Sequence, residues 1–327
     1  MSKMKAVVCT KYGAPEVLKM VEIEKPTPKD NEVLIKIYAT TVTVADCRVR
    51  GFVVPKSFWL PAKFALGFSK PKRPILGGEL AGIVENVGKN VTKFKIGDKV
   101  FAFPGHFMGA YAEYKCMNEN ACIALKPENL SFEQAAALTF GGITALYFCQ
   151  KANISKDEKV LVYGASGSVG TYAVQIAKYL GAKVTGVCST ENLELVKNIG
   201  ADDVIDYTAN EWISLNEKND VVFDAVGKMD IEKVIEITKP HGQYIHTVAT
   251  PFDEIRLRRK LSKHQIKLIG GTYNANLEQI NLIKKLAEED FIKPVIDRIY
   301  SIDEIVEAHK YVDTGKKKGN VVLKIVL

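Results

Sequence analysis

VLVYGASGSVGTYAVQIAKYLG, from Val160 to Gly181, joins an apolar run to a glycine-rich turn and then to an amphipathic segment. Val160, Leu161, Val162 and Tyr163 are β-formers preceded by the charged Lys156, Asp157, Glu158 and Lys159, which predicts a buried parallel strand. After the turn, Val169, Ala173, Ile176, Ala177 and Leu180 recur at helical spacing, and Gly181 closes the segment as a C-terminal glycine does. Gly167 and Gly170 stand where a dinucleotide-binding turn needs them, one for backbone approach to a pyrophosphate and one for close packing of helix on strand. The first glycine of the usual G-x-G-x-x-G is replaced by Ala165, with Gly164 one residue earlier. Ala165, Ser166, Gly167, Ser168, Val169 and Gly170 are therefore candidate cofactor contacts, facing phosphate with helix N-terminal N–H groups. The alternative is a βα turn that packs without a ligand.

The chain outside this unit sets the class. Its 327 residues suffice for two domains, each with a core. At 47% hydrophobic and 25% charged, the composition is that of a soluble globular protein. No run reaches the length of a membrane span and the first twenty residues lack a secretory apolar core, so the expected location is the cytoplasm, without stable membrane insertion. The net charge of +7 is spread along the chain; runs such as Arg256, Arg258, Arg259, Lys260 and Lys316, Lys317, Lys318 read as solvated faces, not nucleic-acid sites. The six cysteines form no C-x-x-C and read as reduced thiols.

The opening third is β-rich. Lys5 to Val8, Lys19 to Glu24 and Glu32 to Ala39 read as strands, the last alternating as a partly exposed antiparallel strand. Gly109 to Lys115 and Cys122 to Leu125 extend the β-rich part. The segment Phe52 to Pro74 mixes aromatic and aliphatic residues with lysines and prolines; it could be a lid over a substrate pocket, a dimer contact, a membrane-surface patch or ordinary packing. From Ser131, an N-cap, strands and short helices alternate to about Val248, which predicts a doubly wound parallel sheet. Helices at Leu277 to Ala287 and Ser301 to Val312 precede a last strand from Asn320.

GGELAGIVENVG with KIGDKV downstream, GGITAL, YGASGSVG, GADDVIDY and the closing KGNVVL occur in order along the chain. On these motifs the sequence resembles the medium-chain dehydrogenase/reductase superfamily over nearly its full length, within it the zinc-free quinone oxidoreductase group. The resemblance implies an α/β Rossmann domain (residues 124–265) inserted in a β-rich, GroES-like catalytic domain (1–123 and 266–327). It also implies a homodimer, with a substrate cleft between the two domains. Three positions that hold catalytic zinc in the alcohol dehydrogenases of this superfamily are Thr43, Gly78 (of Gly78-Glu79) and Phe140 here, none of which ligates zinc. Cys47 and His106 are isolated from partners at ligand spacing. The implied reaction is metal-free addition of hydride from NADPH to a small-molecule quinone or α,β-unsaturated carbonyl. Two other readings stay open: an enoyl-thioester reductase of the same superfamily, and a non-catalytic NADPH-binding protein.

The second Rossmann strand ends in Ser189-Thr190, hydroxyls in place of the acid that would bind an unphosphorylated ribose, which favours NADPH. The resemblance adds Tyr207 and Asn192, the latter where many NADPH-using relatives carry Lys, and Val226, Val248 and Asn320 as further cofactor contacts; Ala249 follows Val248. For the chemistry it points to Thr43, Asp46 and Thr144. Thr43 could donate to substrate or nicotinamide, and Asp46 could act there or serve structurally, paired with an arginine. Tyr38 and Tyr111 are possible acids.

Overall fold

The structure, a computed structural model, describes residues 2–54, 59–209, 217–248, 251–272 and 275–325. Phe58, in the lysine-rich aromatic segment, and Ala249 lie outside them.

In chain order the first part runs β1 (Lys3–Cys9), β2 (Leu18–Glu24), β3 (Glu32–Val42), α1 (Val44–Gly51), α2 (Trp59–Leu66), β4 (Leu80–Val87), β5 (Lys99–Ala102), β6 (Tyr114–Asn118), β7 (Ile123–Leu125) and α3 (Phe132–Ala137). The middle part is α4 (Thr139–Ala152), β8 (Lys159–Tyr163), α5 (Ser168–Tyr179), β9 (Lys183–Cys188), α6 (Leu193–Asn198), β10 (Asp203–Asp206), β11 (Asn219–Asp224), α7 (Ile231–Ile237), β12 (Thr238–His246), α8 (Pro251–Ser262) and β13 (Lys267–Ile269). The last is α9 (Leu277–Glu288), β14 (Ile296–Ser301), α10 (Ile305–Asp313) and β15 (Asn320–Lys324).

Contacts divide the chain into two units. One comprises Met1–Phe140, Ala275–Glu288 and Pro294–Leu327; the other Gly141–Asn274 and Glu289–Lys293. Residues 124–140 thus go with the first unit, where α3, capped by Ser131 and Gln134, packs on β3, β4 and β15.

In the first unit the strand order is β14-β15-β3-β4-β5-β7, with β6 also on β3 and a separate β1-β2 hairpin. Strand β3 is more buried than its alternation suggests. It is central, paired antiparallel with β4 on one edge and with β6 and β15 along the other. Val33, Ile35, Ile37, Leu80, Val84 and Val100 form one core, while Val7, Leu18, Leu76, Ala308, Val312 and Val321 form a second around α10. The strand expected from Gly109 begins only at Tyr114; Gly109 takes a φ of +95°, and Ala112 makes an isolated bridge to Ala6.

The second unit is a sheet of order β10-β9-β8-β11-β12-β13, every pair parallel. In strand sequence this is 3-2-1-4-5-6, the doubly wound order whose chain reversal falls between β8 and β11. Leu161, Val187, Val222, Val234, Tyr244 and Leu268 make its core. Among the described residues no helix is long and apolar enough to cross a membrane.

Candidate functional site

In the second unit the carboxyl end of β8 delivers the chain into the turn read from the sequence. Gly164 has φ +76°, and its N–H and that of Ala165 both donate to Val187 O, at 3.0 Å, tying the turn to β9. Gly167 is the N-cap of α5 in extended conformation, and its N–H donates to Gly164 O at 3.0 Å. A methyl on Gly170 would collide with the Gly164 carbonyl, whereas one on Gly167 would sit in ordinary contact with that same oxygen, at 3.4 Å. The small side chain of Ala165 is fully buried toward Gly186. The turn therefore brings helix onto strand at one position and leaves the helix N-terminus accessible at the other, a cradle that fits a pyrophosphate.

The end of β9 is less simple than its hydroxyls suggest. Thr190 Oγ1 donates to Asp206 Oδ2 at 2.5 Å and lies 2.9 Å from Thr208 Oγ1, so its hydroxyl is directed at a carboxylate and not toward an incoming phosphate. Hydrogen bonds from Thr190 and Thr208 hold the Asp206 carboxyl below its ordinary range. Asn192 is buried; its Nδ2 donates to Ser189 Oγ at 2.9 Å, and its Oδ1 is buried without a partner. One end of that amide is thus unpartnered inside the loop, and turning the amide over would make the unpartnered atom a donor. Tyr207 is half exposed, its ring 6.2 Å from that of Tyr163.

Beyond β11, Asp224 builds the next loop. Its carboxylate accepts from Val226 N (2.9 Å), Gly227 N (2.6 Å), Met229 N (3.0 Å) and Tyr244 OH (3.0 Å). Val226 and Val248 are partly exposed at the carboxyl ends of β11 and β12. Thr144 is buried in α4. His246 escaped the sequence reading: it ends β12 beside Gly227, with Nδ1 buried and unpartnered. Asn320 lies in the first unit, where its amide donates to Val295 O at 3.0 Å and pins the start of β15.

The first unit places Thr43 and Asp46 in one network. Thr43 caps α1: its N–H and Oγ1 donate to Asp46 Oδ2 at 2.9 and 2.6 Å, and Asp46 N returns a bond to Thr43 Oγ1 at 3.2 Å. Gly77 N donates to Asp46 Oδ1 at 3.0 Å. Asp46 therefore pairs with no arginine; Arg50 instead donates to Asp313 Oδ2 at 2.6 Å and faces Nδ1 of His309 at 3.0 Å. Burial raises the Asp46 carboxyl despite these donors. The Tyr111 hydroxyl is buried nearby without a hydrogen bond of ordinary geometry, and burial, with the Asp46 charge, pushes it far up. Tyr38 stacks on Phe132 at 4.6 Å.

Glu79 is the residue the sequence reading passed over. Fully buried, it accepts from Thr139 Oγ1 (2.9 Å) and Phe140 N (2.5 Å) on Oε1 and from Thr41 Oγ1 on Oε2. Burial pushes its carboxyl up to about 7 against those three donors. Lys317, read as part of a solvated run, is half-buried; it donates to Gly319 O at 2.5 Å, and burial pulls it down to about 8.

Two family models match the chain: the alcohol dehydrogenase GroES-like domain over residues 29–128 and the zinc-binding dehydrogenase domain over 199–323. The 2-methylene-furan-3-one reductase of Solanum lycopersicum is 34% identical over 335 residues, covering 98% of this chain and 79% of that protein. The chain belongs to the medium-chain dehydrogenase/reductase superfamily, in its quinone oxidoreductase-like group. Another member, the NADPH-dependent alkenal/one oxidoreductase, chloroplastic, of Arabidopsis thaliana, is 32% identical over 334 residues, covering 98% and 79% of the two chains. Among solved structures, the quinone oxidoreductase from Coxiella burnetii superimposes with a TM-score of 0.88 at 29% identity, covering 99% of this chain and all of that one. Although one matching model is named for zinc binding, the described residues contain no cluster of three His, Cys, Asp or Glu able to hold a metal ion.

Proposed function

We propose that the chain is an NADPH-dependent, zinc-independent oxidoreductase that reduces quinones or α,β-unsaturated carbonyls. The observation that carries this reading is the turn from Gly164 to Gly170, closed against β8 at Gly170 and open at Gly167, at the chain reversal of the parallel sheet.

In this reading the first turn of α5 receives the pyrophosphate. Ser189, Asn192 and Tyr207 are assigned to the adenosine ribose, and the unpartnered end of the Asn192 amide, turned as a donor, supports a 2′-phosphate there. The NADPH in the Arabidopsis relative's name supports the same choice. NADPH, when bound, supplies a hydride, which a conjugated acceptor takes without a Lewis acid. Thr43, Gly78 and Phe140 offer no soft or imidazole ligand where the zinc branch has its metal, which supports zinc independence. Asp46 is a positioning residue: it fixes the Thr43 hydroxyl and the Gly77 backbone. Thr144 is proposed to lie near the nicotinamide. A homodimer, by family resemblance, completes the proposal, with the cytoplasm as its location.

The test is oxidation of NADPH and NADH, at equal concentrations, with a naphthoquinone, a short enal, an enone and a crotonyl thioester, with and without chelator. Chelator-insensitive consumption of NADPH with the quinone or the enal and enone is the expected result. Tight NADPH binding without turnover, or activity lost on chelation, would overturn it.

A further inference from the structure

Helix α2 is built inside out. In WLPAKFAL the one charged residue, Lys63, turns toward the protein, its Nζ 4.1 Å from the ring centre of Phe52, 4.7 Å from that of Tyr12 and 5.3 Å from that of Trp59. Lys63 Nζ also donates to Phe68 O at 2.5 Å, and Tyr12 OH donates to Gly67 O at 3.0 Å. Trp59, Leu60, Phe64 and Phe68 are left more than half exposed, and no residue of the helix is buried. A globular protein that places its lysine inward and four large apolar side chains outward presents a surface that some partner covers.

Charge identifies that partner. From Cys47 to Gly78 the sequence holds seven Lys and Arg and not one Asp or Glu. Lys70, Lys72 and Arg73 are exposed directly after the helix. Apolar and aromatic side chains rimmed by the exposed cations Lys70, Lys72 and Arg73 match the boundary of a bilayer whose headgroups are anionic, with tryptophan at headgroup level and lysines on phosphate. A second copy fits less well, since a two-fold contact would set one basic cluster against the other.

We propose that α2 and the turn that follows form a reversible docking surface for an anionic lipid bilayer, independent of the reduction chemistry. Trp59 is one of two tryptophans, the other being Trp212, so in a Trp212→Phe background its emission reports insertion. Co-sedimentation with phosphatidylcholine vesicles, with and without phosphatidylglycerol, should capture the protein only on the anionic vesicles, with a blue shift of Trp59 and weakening by salt. A Lys70→Glu/Lys72→Glu variant should lose affinity by about 25-fold or more, near fivefold for each cation removed. A Leu60→Ser/Phe64→Ser variant should lose the blue shift while keeping the wild-type melting temperature. Equal binding to neutral vesicles, no binding to either, or full retention in both variants would overturn the proposal. So would self-association of the wild-type chain that the Leu60→Ser/Phe64→Ser variant abolishes while vesicle binding stays absent.

Discussion

A methyl group on Gly170 would lie 2.1 Å from the carbonyl oxygen of Gly164, whereas one on Gly167 would meet no nearer protein atom than that same oxygen at 3.4 Å. The two glycines of one turn are thus kept open for different neighbours. Gly170→Ala should lower the melting temperature, with overpacking of about 1–3 kcal/mol, and weaken NADPH together with it. Gly167→Ala should melt as the wild type yet bind NADPH roughly tenfold more weakly, about 1.4 kcal/mol. Fluorescence titration beside thermal melts separates the two; equal effects of both variants on melting would contradict this division.

At the ribose end, Thr190 and Asn192 should behave differently although both are polar and close in sequence. Thr190 Oγ1 is bonded to Asp206, so Thr190→Val should loosen the loop and leave the NADPH to NADH preference unchanged. Asn192→Leu, removing the amide with an unpartnered end, should raise KM for NADPH by roughly tenfold and for NADH much less. A preference shifted by the first variant and not by the second would reverse these roles.

His309 is buried and neutral, pushed down to about 3 by burial and by the Arg50 guanidinium. Because Arg50 donates to Nδ1, the imidazole proton is on Nε2. In the unfolded chain the ring takes a proton near pH 6.5, so between that value and about 3 the unfolded state binds more protons. The His309 contribution to stability should fall as pH drops below 6.5, by up to about 1.4 kcal/mol per unit. His309→Asn, which keeps an acceptor near the Nδ1 position, should remove that contribution, so that the variant loses less stability than the wild type, or gains more, between pH 7 and 5 in denaturant titrations. An unchanged slope would show that the acid sensitivity arises elsewhere.

Glu79 gives the opposite slope. Its carboxyl is raised in the folded state, so between the ordinary 4.5 and about 7 the folded chain holds a proton that the unfolded chain has released. That contribution is present at low pH and lost as pH rises. Glu79→Gln resembles the protonated acid and should match the wild type near pH 4 while exceeding it at pH 8 by up to about 3 kcal/mol. Melting curves at the two pH values decide; a variant weaker at both would mean that the ionised carboxylate is required.

The turn from Gly164 to Gly170 was legible because its chemistry depends on residue types at fixed short spacing. The nucleotide unit around it followed from alternating periodicities. Glu79 was not, since its partners Thr139 and Phe140 lie 60 and 61 residues away and nothing local marks it. The same distance effect hid the true partner of Thr190, Asp206, and the pairing of Arg50 with Asp313, which left Asp46 to Thr43 and Gly77. Strand β3 looked half exposed because its alternation includes Lys36 and Tyr38; only its three pairing partners make it central. Helix α2 defeats pattern reading most directly, since its apolar residues are the ones turned outward.

Strand β15 closes the edge of β3 at Ala39–Val42, with Val42 opposite Val321, while β6 covers only Glu32–Lys36 of that edge. During synthesis, therefore, the upper half of β3 emerges with unpaired N–H and C=O groups and waits for almost the whole remaining chain. At ribosomal rates of about 5–20 residues per second the delay is on the order of a quarter of a minute to a minute. For that interval the nascent protein carries an open strand edge, the feature that recruits chaperones or neighbouring nascent chains. The continuous stretch Gly141–Asn274 in between can complete its parallel sheet first.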